Sequence, residues 1–345
     1  MVIAAPSAVV QRLAYELEDR LAEEWRVAGP LIAVAGKQPM DELYDLLELP
    51  GGKSVRRSVA SFMSALDRKR LVFVLGVGAR NWPEWRRFIE DYASASRAVG
   101  AMDRTQILLF TDGIGKSQLP TEAPALDSLV WDGHVGEADV FSYIMAAWRR
   151  KGRRIDGECK VLARTITNLA LWDFDLVDAL LELDPQELFD PAAAIRMIVS
   201  RQDTWANIGP SWEQGGAADF DGRLCTHAVV VFNGGDRESE LSMRVWAAQA
   251  AELLPALELK RRELAKRMRD ARLPLPATLN GERVHDAADI EIGPLLHLAR
   301  VNRMPPHIIR AAEKYAGLRN KLAHLTPLKA AEALDPDVLH VRDAV

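Results

Sequence analysis

Two apolar runs decide the fold class of this chain. "RLVFVLGVG" (70–78) and "TQILLF" (105–110) are apolar at successive positions, so a strand made from either presents apolar side chains to both faces of its sheet. Such a sheet is stable only between two covering layers, and the flanking segments supply them. Residues 8–26 set Val9, Leu13, Leu17 and Leu21 at helical spacing, and "PLIAVAG" (30–36) is a short apolar run closed by glycine, as a buried strand is. Ser54 can cap a helix over 55–68, Pro83 to Val99 reads as another, "SLVWD" (128–132) gives a further strand and 137–150 a further helix. Strands alternating with helices predict a parallel sheet, an α/β domain over 1–152.

From about Arg153 the pattern is helical, over 157–183 and 185–200. "RQDTWANIGPSWEQGGAADFDGR" (201–223) is rich in Gly, Asp and Asn and reads as a linker or long loop. Residues 153–223 thus form a helical, lid-like segment with its linker, and 224–345 a helical domain. The latter opens on one isolated strand candidate, "THAVVVFNGG", followed by helices over 238–272, 288–303 and 306–325. Pro255 should kink the first of them.

Composition narrows the function classes. Of 345 residues 48% are hydrophobic, enough for two or three cores. A net charge of -5 excludes a generally basic nucleic-acid coat and leaves such contact to local patches. Cys159 and Cys225 are too few for a disulfide framework or a cysteine zinc site, which fits a reducing compartment. His134, His227, His285, His297, His307 and His340 show no metal-ligand spacing, so neither a metal nor a cofactor is expected. No apolar run approaches the roughly 20 residues that cross a bilayer, and "MVIAAPSAVVQRLAYELEDR" turns acidic where a signal peptide needs a longer apolar core. A cytoplasmic protein without membrane contact is expected.

Two stretches approach the phosphate-cradling pattern G-x-x-x-x-G-K-[ST]. In "TQILLFTDGIGKSQLP" (105–120) Phe110 stands at the first glycine position, and Pro120 biases Leu119 away from helical angles. In "LPGGKSVRRS" (49–58) Leu47 stands at that position, behind a helical run. Gly113 and Gly115 then make a surface turn, with Lys53 and Lys116 solvated. Gly76, Gly78 and Asn81 supply part of a dinucleotide fingerprint, which a plain strand-to-helix turn also explains. The carboxyl ends of parallel strands share one edge, where ligands bind. Lys37, Gly76, Gly78, Asp112 and Asp132 fall there and form an alternative site for a phosphate or metal.

The order of elements over residues 1–200 resembles the core of an AAA+ or STAND-type P-loop NTPase that starts one element late. The resemblance implies a degenerate domain whose usual first strand and phosphate loop are missing. Where such enzymes carry paired acids, "VFVLGVGARNW" has none before Glu84. Such a domain has lost ATP hydrolysis or relies on another chain, a partner NTPase, for its phosphate site.

Near the end, "PPHIIRAAEKYAGLRNKLAHLTPL" (305–328) places Ile308, Ala312, Tyr315, Leu318, Leu322 and Leu325 on one apolar helical stripe. Arg319, Asn320 and His324, within "RNKLAH", resemble the R-x4-6-H motif of HEPN domains, small helical bundles. The resemblance implies a metal-independent endoribonuclease of bacterial defence or toxin systems, or a module that binds RNA or dimerises. His324 would be the acid/base, Arg319 the phosphate stabiliser and Asn320 a positioning donor. At about 100° per residue, Arg319 and His324 stand roughly 140° apart on a straight helix, so they meet only if the helix ends early or a second copy brings its own pair. Pro327 favours an early end, and a homodimer or larger assembly is expected.

Lys260, Arg261, Lys266 and Arg267 in "LKRRELAKRMRDAR", together with Lys321, could track an RNA backbone. The same cations fit a solvated helix face and a helix C-terminus. The competing functional class is a non-enzymatic regulator or adaptor, whose NTPase-like domain docks a partner protein and whose bundle mediates dimerisation.

Overall fold

The computed structural model describes residues 1–5, 7–49, 57–66, 70–100, 104–234, 237–279 and 281–340. The chain divides into two compact units, Met1–Gly136 with Asp203–Val230, and Glu137–Gln202 with Val231–Val345. This differs from the three-part reading: the helix at 137–150 belongs with the other helices, and the stretch expected to be a linker folds into the first unit.

The first unit holds β1 (Val2–Ala4), α1 (Ser7–Leu21), β2 (Arg26–Ile32), α2 (Pro39–Leu46), α3 (Val59–Ala65), β3 (Arg70–Val77), α4 (Trp82–Ala95), β4 (Gln106–Thr111) and β5 (Ser128–Val130). The sheet is parallel, in the order β2-β3-β4-β1-β5. A strand ahead of the first helix, expected to be missing, is therefore present between β4 and β5. "VIA" is too short to register by periodicity, yet its residues are at most 1% exposed.

From β1 the chain jumps to the far edge and returns through β3 and β4. Right-handed crossovers then put α1 on one face and α2, α3 and α4 on the other. Packing agrees: Phe62, Trp85, Phe88 and Tyr92 cluster on Val2, Val72, Val74, Ile107 and Leu109. The alternate residues Phe73 and Phe110 stack at 5.9 Å, and α1 lies against β3 and β4. The cap of α3 is Ser58, which exchanges hydrogen bonds with Ser61, rather than Ser54. Residues 50–56, with Ser54 and the Lys53 of the second P-loop-like stretch, lie outside the described residues.

The second unit opens with α5 (Glu137–Arg150), α6 (Gly157–Ala170), α7 (Phe174–Leu181), α8 (Pro185–Leu188) and α9 (Pro191–Arg201). The helix expected over 157–183 breaks at Leu171, where φ is 55°, and restarts at Asp173, whose carboxylate accepts from the amides of Asp175 and Leu176. Back in the first unit, β6 (Ala217–Phe220) and β7 (Arg223–Thr226) pair antiparallel. "THAVVVFNGG" is no strand: α10 (Ala228–Asn233), which spans the division, is helical. Buried His227 starts it, its Nδ1 accepting the Val229 amide at 3.2 Å.

The 34-residue α11 (Arg237–Asp270) runs through Pro255 without a break. After it come a hairpin of β8 (Ala277–Leu279) and β9 (Glu282–Val284), then α12 (Ile292–Val301), α13 (Pro306–Ala323), α14 (Ala330–Ala333) and α15 (Pro336–Leu339). Leu253, Leu257, Leu264 and Met268 of α11 share one core with Ile308, Tyr315 and Leu322 of α13. Among the described residues no helix is long and apolar enough to cross a membrane.

Candidate functional site

α13 buries Ile308, Ala312, Tyr315, Leu318 and Leu322 as its spacing predicts. It ends at Ala323, with His324 as its C-cap at φ -98° and ψ 25°. The Thr326 amide donates to the Lys321 carbonyl at 2.9 Å and the Leu325 amide to that of Leu322 at 3.2 Å, the paired bonds of a Schellman ending. That ending requires a left-handed residue, normally glycine, and here it is Leu325 with φ 57°. For a residue with a Cβ this conformation costs about 1–2 kcal/mol. Leu325, expected on the buried stripe, is instead 51% exposed, because reversing the backbone turns it away from the core.

Two side chains of α11, one helical turn apart, hold this turn. Trp246 donates its indole N–H to the Leu322 carbonyl at 2.6 Å. Gln249, fully buried, receives the Leu328 amide at 2.6 Å and donates to the Leu328 carbonyl at 2.9 Å. Residues 323–327 are thus pinned at both ends, and Asn320, Lys321 and His324 stand exposed on a fixed frame. Lys321 pairs with Glu332. Neither Trp246 nor Gln249 carries any sequence signal for this role, since both bonds span more than seventy residues.

Arg319 points elsewhere. It lines a recess of about 240 Å³ whose walls include Leu254, Leu257, Ile292 and Tyr315, and its guanidinium lies 3.8 Å from the Glu291 carboxylate. Burial, and then the Asp337 carboxylate that accepts its hydroxyl at 3.0 Å, push the Tyr315 phenol above its usual range. His324 does not line this recess.

The expected RNA-binding cations divide. Lys260 is buried, its ammonium 3.1 Å from the His340 carbonyl and 3.3 Å from Glu263. Arg261 grips Glu258 through two bonds, at 2.6 and 2.9 Å, and caps the Ala288 and Ile290 carbonyls at 2.7 Å. Both are structural, which corrects the reading of them as RNA contacts. The signal was present: positions 257, 260, 264 and 268 follow the buried stripe of α11. Lys266 is exposed and Arg267 half-buried.

At the carboxyl edge of the sheet, Asn81 closes the Gly76–Gly78 turn, accepting the Gly78 amide at 2.9 Å and donating to the Gly76 carbonyl at 3.1 Å. Gly78 adjoins the Asp112 carbonyl, and partial burial pushes the Asp112 carboxyl above its usual range. Lys37 and Asp132 cannot share a ligand, because they follow strands at opposite edges; four strand spacings separate them by about 19 Å. Asp132 pairs with Lys116 instead, and accepts the Asp219 amide at 2.8 Å. Burial pulls its carboxyl upward, but Lys116 and that amide outweigh it and hold it below the usual range.

The segment 209–220 straps this edge. Trp212 lies 5.0 Å from the ammonium of Lys116, which stays exposed as expected. The Glu213 carboxylate covers Gly115, within 3.3 Å of where a Cβ would stand. An acid thus covers the glycine turn of the P-loop-like stretch. ATP with magnesium should leave the melting temperature unchanged in a thermal-shift titration; a rise that grows with the logarithm of ATP concentration contradicts this arrangement. Among the described residues no cluster of His, Cys, Asp and Glu could hold a metal ion. No protein-family model, curated protein or solved structure matches this chain.

Proposed function

We propose that this chain is an intracellular, HEPN-like effector of the defence or toxin type that cleaves RNA without metal, working as paired copies. The observation that carries this reading is the motif turn after α13, rigidly pinned by Trp246 and Gln249 yet presenting exposed, polar Asn320 and His324. A chain gains no stability from holding such groups in solvent on a strained turn, and strain of this kind gathers at working sites.

In the proposed chemistry His324 takes the proton of a ribose 2′-hydroxyl as it attacks the adjacent phosphorus. The His324 imidazole of the second copy returns a proton to the departing 5′-oxygen. Arg319 neutralises the charge that builds on the phosphoryl oxygens, and Asn320 donates a hydrogen bond to orient the phosphate. Arg319 lines a recess that His324 does not, and in this reading the pair that works together has one member from each copy.

Purified protein should cut mixed RNA in the presence of EDTA, and His324→Ala and Arg319→Ala should each lower the rate by about 10²–10⁴-fold. Cleavage that survives both substitutions, or that EDTA stops, rules this reading out.

One observation favours the adaptor reading for the first unit. Its parallel sheet has a carboxyl edge on which Glu213 covers the Gly115 turn, which supports a docking module over a nucleotide site there. RNA left intact by a dimeric, well-folded protein would make this the reading for the whole chain.

A further inference from the structure

α4 carries charges in two neighbouring rows, and only one of them is paired. Arg86 and Glu90, four residues apart, join at 2.9 Å. Glu84, Arg87 and Asp91 are exposed at the three- and four-residue spacings that bring opposite charges together on a helix, yet none of them has a hydrogen-bonded or ionic partner among the described residues. This second row lines a groove of about 880 Å³. Phe88, 6% exposed, and half-buried Met40 and Val59 give the groove its apolar lining. The starts of α2 and α3 complete it, and their arginine and serine are already engaged: Arg57 binds Asp41 at 2.6 Å and lies 4.8 Å from the centre of the Tyr44 ring, while Ser58 caps α3. The charge left for a ligand is therefore that of Glu84, Arg87 and Asp91.

That pattern selects the class of ligand. Its signs run negative, positive, negative over about 10 Å of helix. A nucleic acid or a phosphorylated metabolite is anionic along its length and would meet two carboxylates for one free guanidinium. A protein segment carries both signs with apolar side chains between them, and the groove lies near the upper end of the roughly 300–1,000 Å³ range of ligand sites. We propose that this groove docks a segment of a partner protein in which two basic side chains flank an acidic one beside apolar residues. The flanking cations meet Glu84 and Asp91, the acid meets Arg87, and the apolar residues cover Phe88 and Met40, so that each free charge gains its opposite on docking. The inference rests on the docking reading of the first unit and names its surface and the charge order of its partner.

The test offers the full chain an array of synthetic peptides in which Lys, Glu and Leu are permuted at successive positions of a neutral host. Native protein should hold the basic–acidic–basic order at least about tenfold more tightly than its charge-reversed counterpart, with a preference that fades in high salt. Arg87→Glu combined with Asp91→Lys should move the choice to the basic–basic–acidic order. Both positions are exposed and unpaired, so this variant should melt with the native chain, which separates altered docking from altered folding. Binding of purely acidic peptides or of RNA that is lost in the variant would make the groove an anion site and overturn the proposal. Native self-association abolished by the two substitutions would overturn it too, with a second copy as the occupant. Peptides held equally by native and variant protein would remove this groove and leave docking elsewhere on the chain, whereas an array that holds none would remove docking by such segments altogether.

Discussion

Gln249→Leu is expected to destabilise the helical unit by about 2–4 kcal/mol. The amide of Gln249 satisfies both polar groups of the Leu328 peptide, and both residues are at most 2% exposed. A leucine of similar size keeps the packing but strands a buried N–H and a buried carbonyl, each costing about 1–3 kcal/mol when left without a partner. Trp246→Phe is the milder companion, since it keeps most of the ring and gives up one hydrogen bond to the Leu322 carbonyl, about 1 kcal/mol. Urea unfolding should show the two midpoints falling in that order, with unchanged slope if the denatured state is unaffected. Catalysis should respond differently. With the chain still folded at low denaturant, Gln249→Leu frees the backbone beyond His324, so the RNA cleavage rate should fall while affinity for RNA changes little. Equal midpoints for Gln249→Leu and the native chain would mean that this buried amide is not the clamp described.

The parts of the fold that were legible in the sequence are those in which burial repeats along the chain. β3 and β4 are apolar on both faces, and both are interior strands. The stripe of α13 runs true from Ile308 to Leu322. It fails at Leu325, because the stripe presumes a helix that the Schellman turn has already ended. Short or single-sided elements left less trace. β1 is three residues long, so its place beside β4 depends on partners more than a hundred residues away. α10 is rich in valine, a residue that suits strands by virtue of packing rather than backbone preference, and the His227 acceptor decides for a helix. Charge misled where it was read without spacing: Lys260 and Arg261 belong to a dense cationic run, yet the stripe of α11 carries one of them into the core and the other onto carbonyls. The motif residues Arg319, Asn320 and His324 were visible as a pattern. That Arg319 lies within the last turns of α13 while His324 caps its end depends on where the helix stops, which only the folded chain settles.

Gly216→Ala should disrupt the strap over the sheet edge more severely than any exposed substitution in the first unit. A Cβ at this position would fall on the carbonyl oxygen of Gly209 and 2.8 Å from the Val230 methyl. The first obstacle is backbone, so no rotamer change relieves it. Neither end of the residue is free to move: its amide donates to the Ser211 carbonyl at 2.9 Å, and its carbonyl accepts the His227 amide at 2.8 Å. Overpacking usually costs about 1–3 kcal/mol, and the backbone collision places Gly216→Ala at or above the top of that range. The consequence reaches the sheet, because Trp212, Glu213 and Asp219 lie on either side of this glycine and are the residues that meet Lys116, Gly115 and Asp132. Hydrogen exchange should therefore quicken across 209–220 and at the ends of β4 and β5 in the variant, while the amides of α11 and α13 keep their native protection. Gly222→Ala is the control, since it has open space around its Cβ position and only the strain of φ 76°; its effect should stay local to the β6–β7 turn. Native exchange across 209–220 in Gly216→Ala would mean that the close approach of the two glycine backbones is not what holds the strap in place.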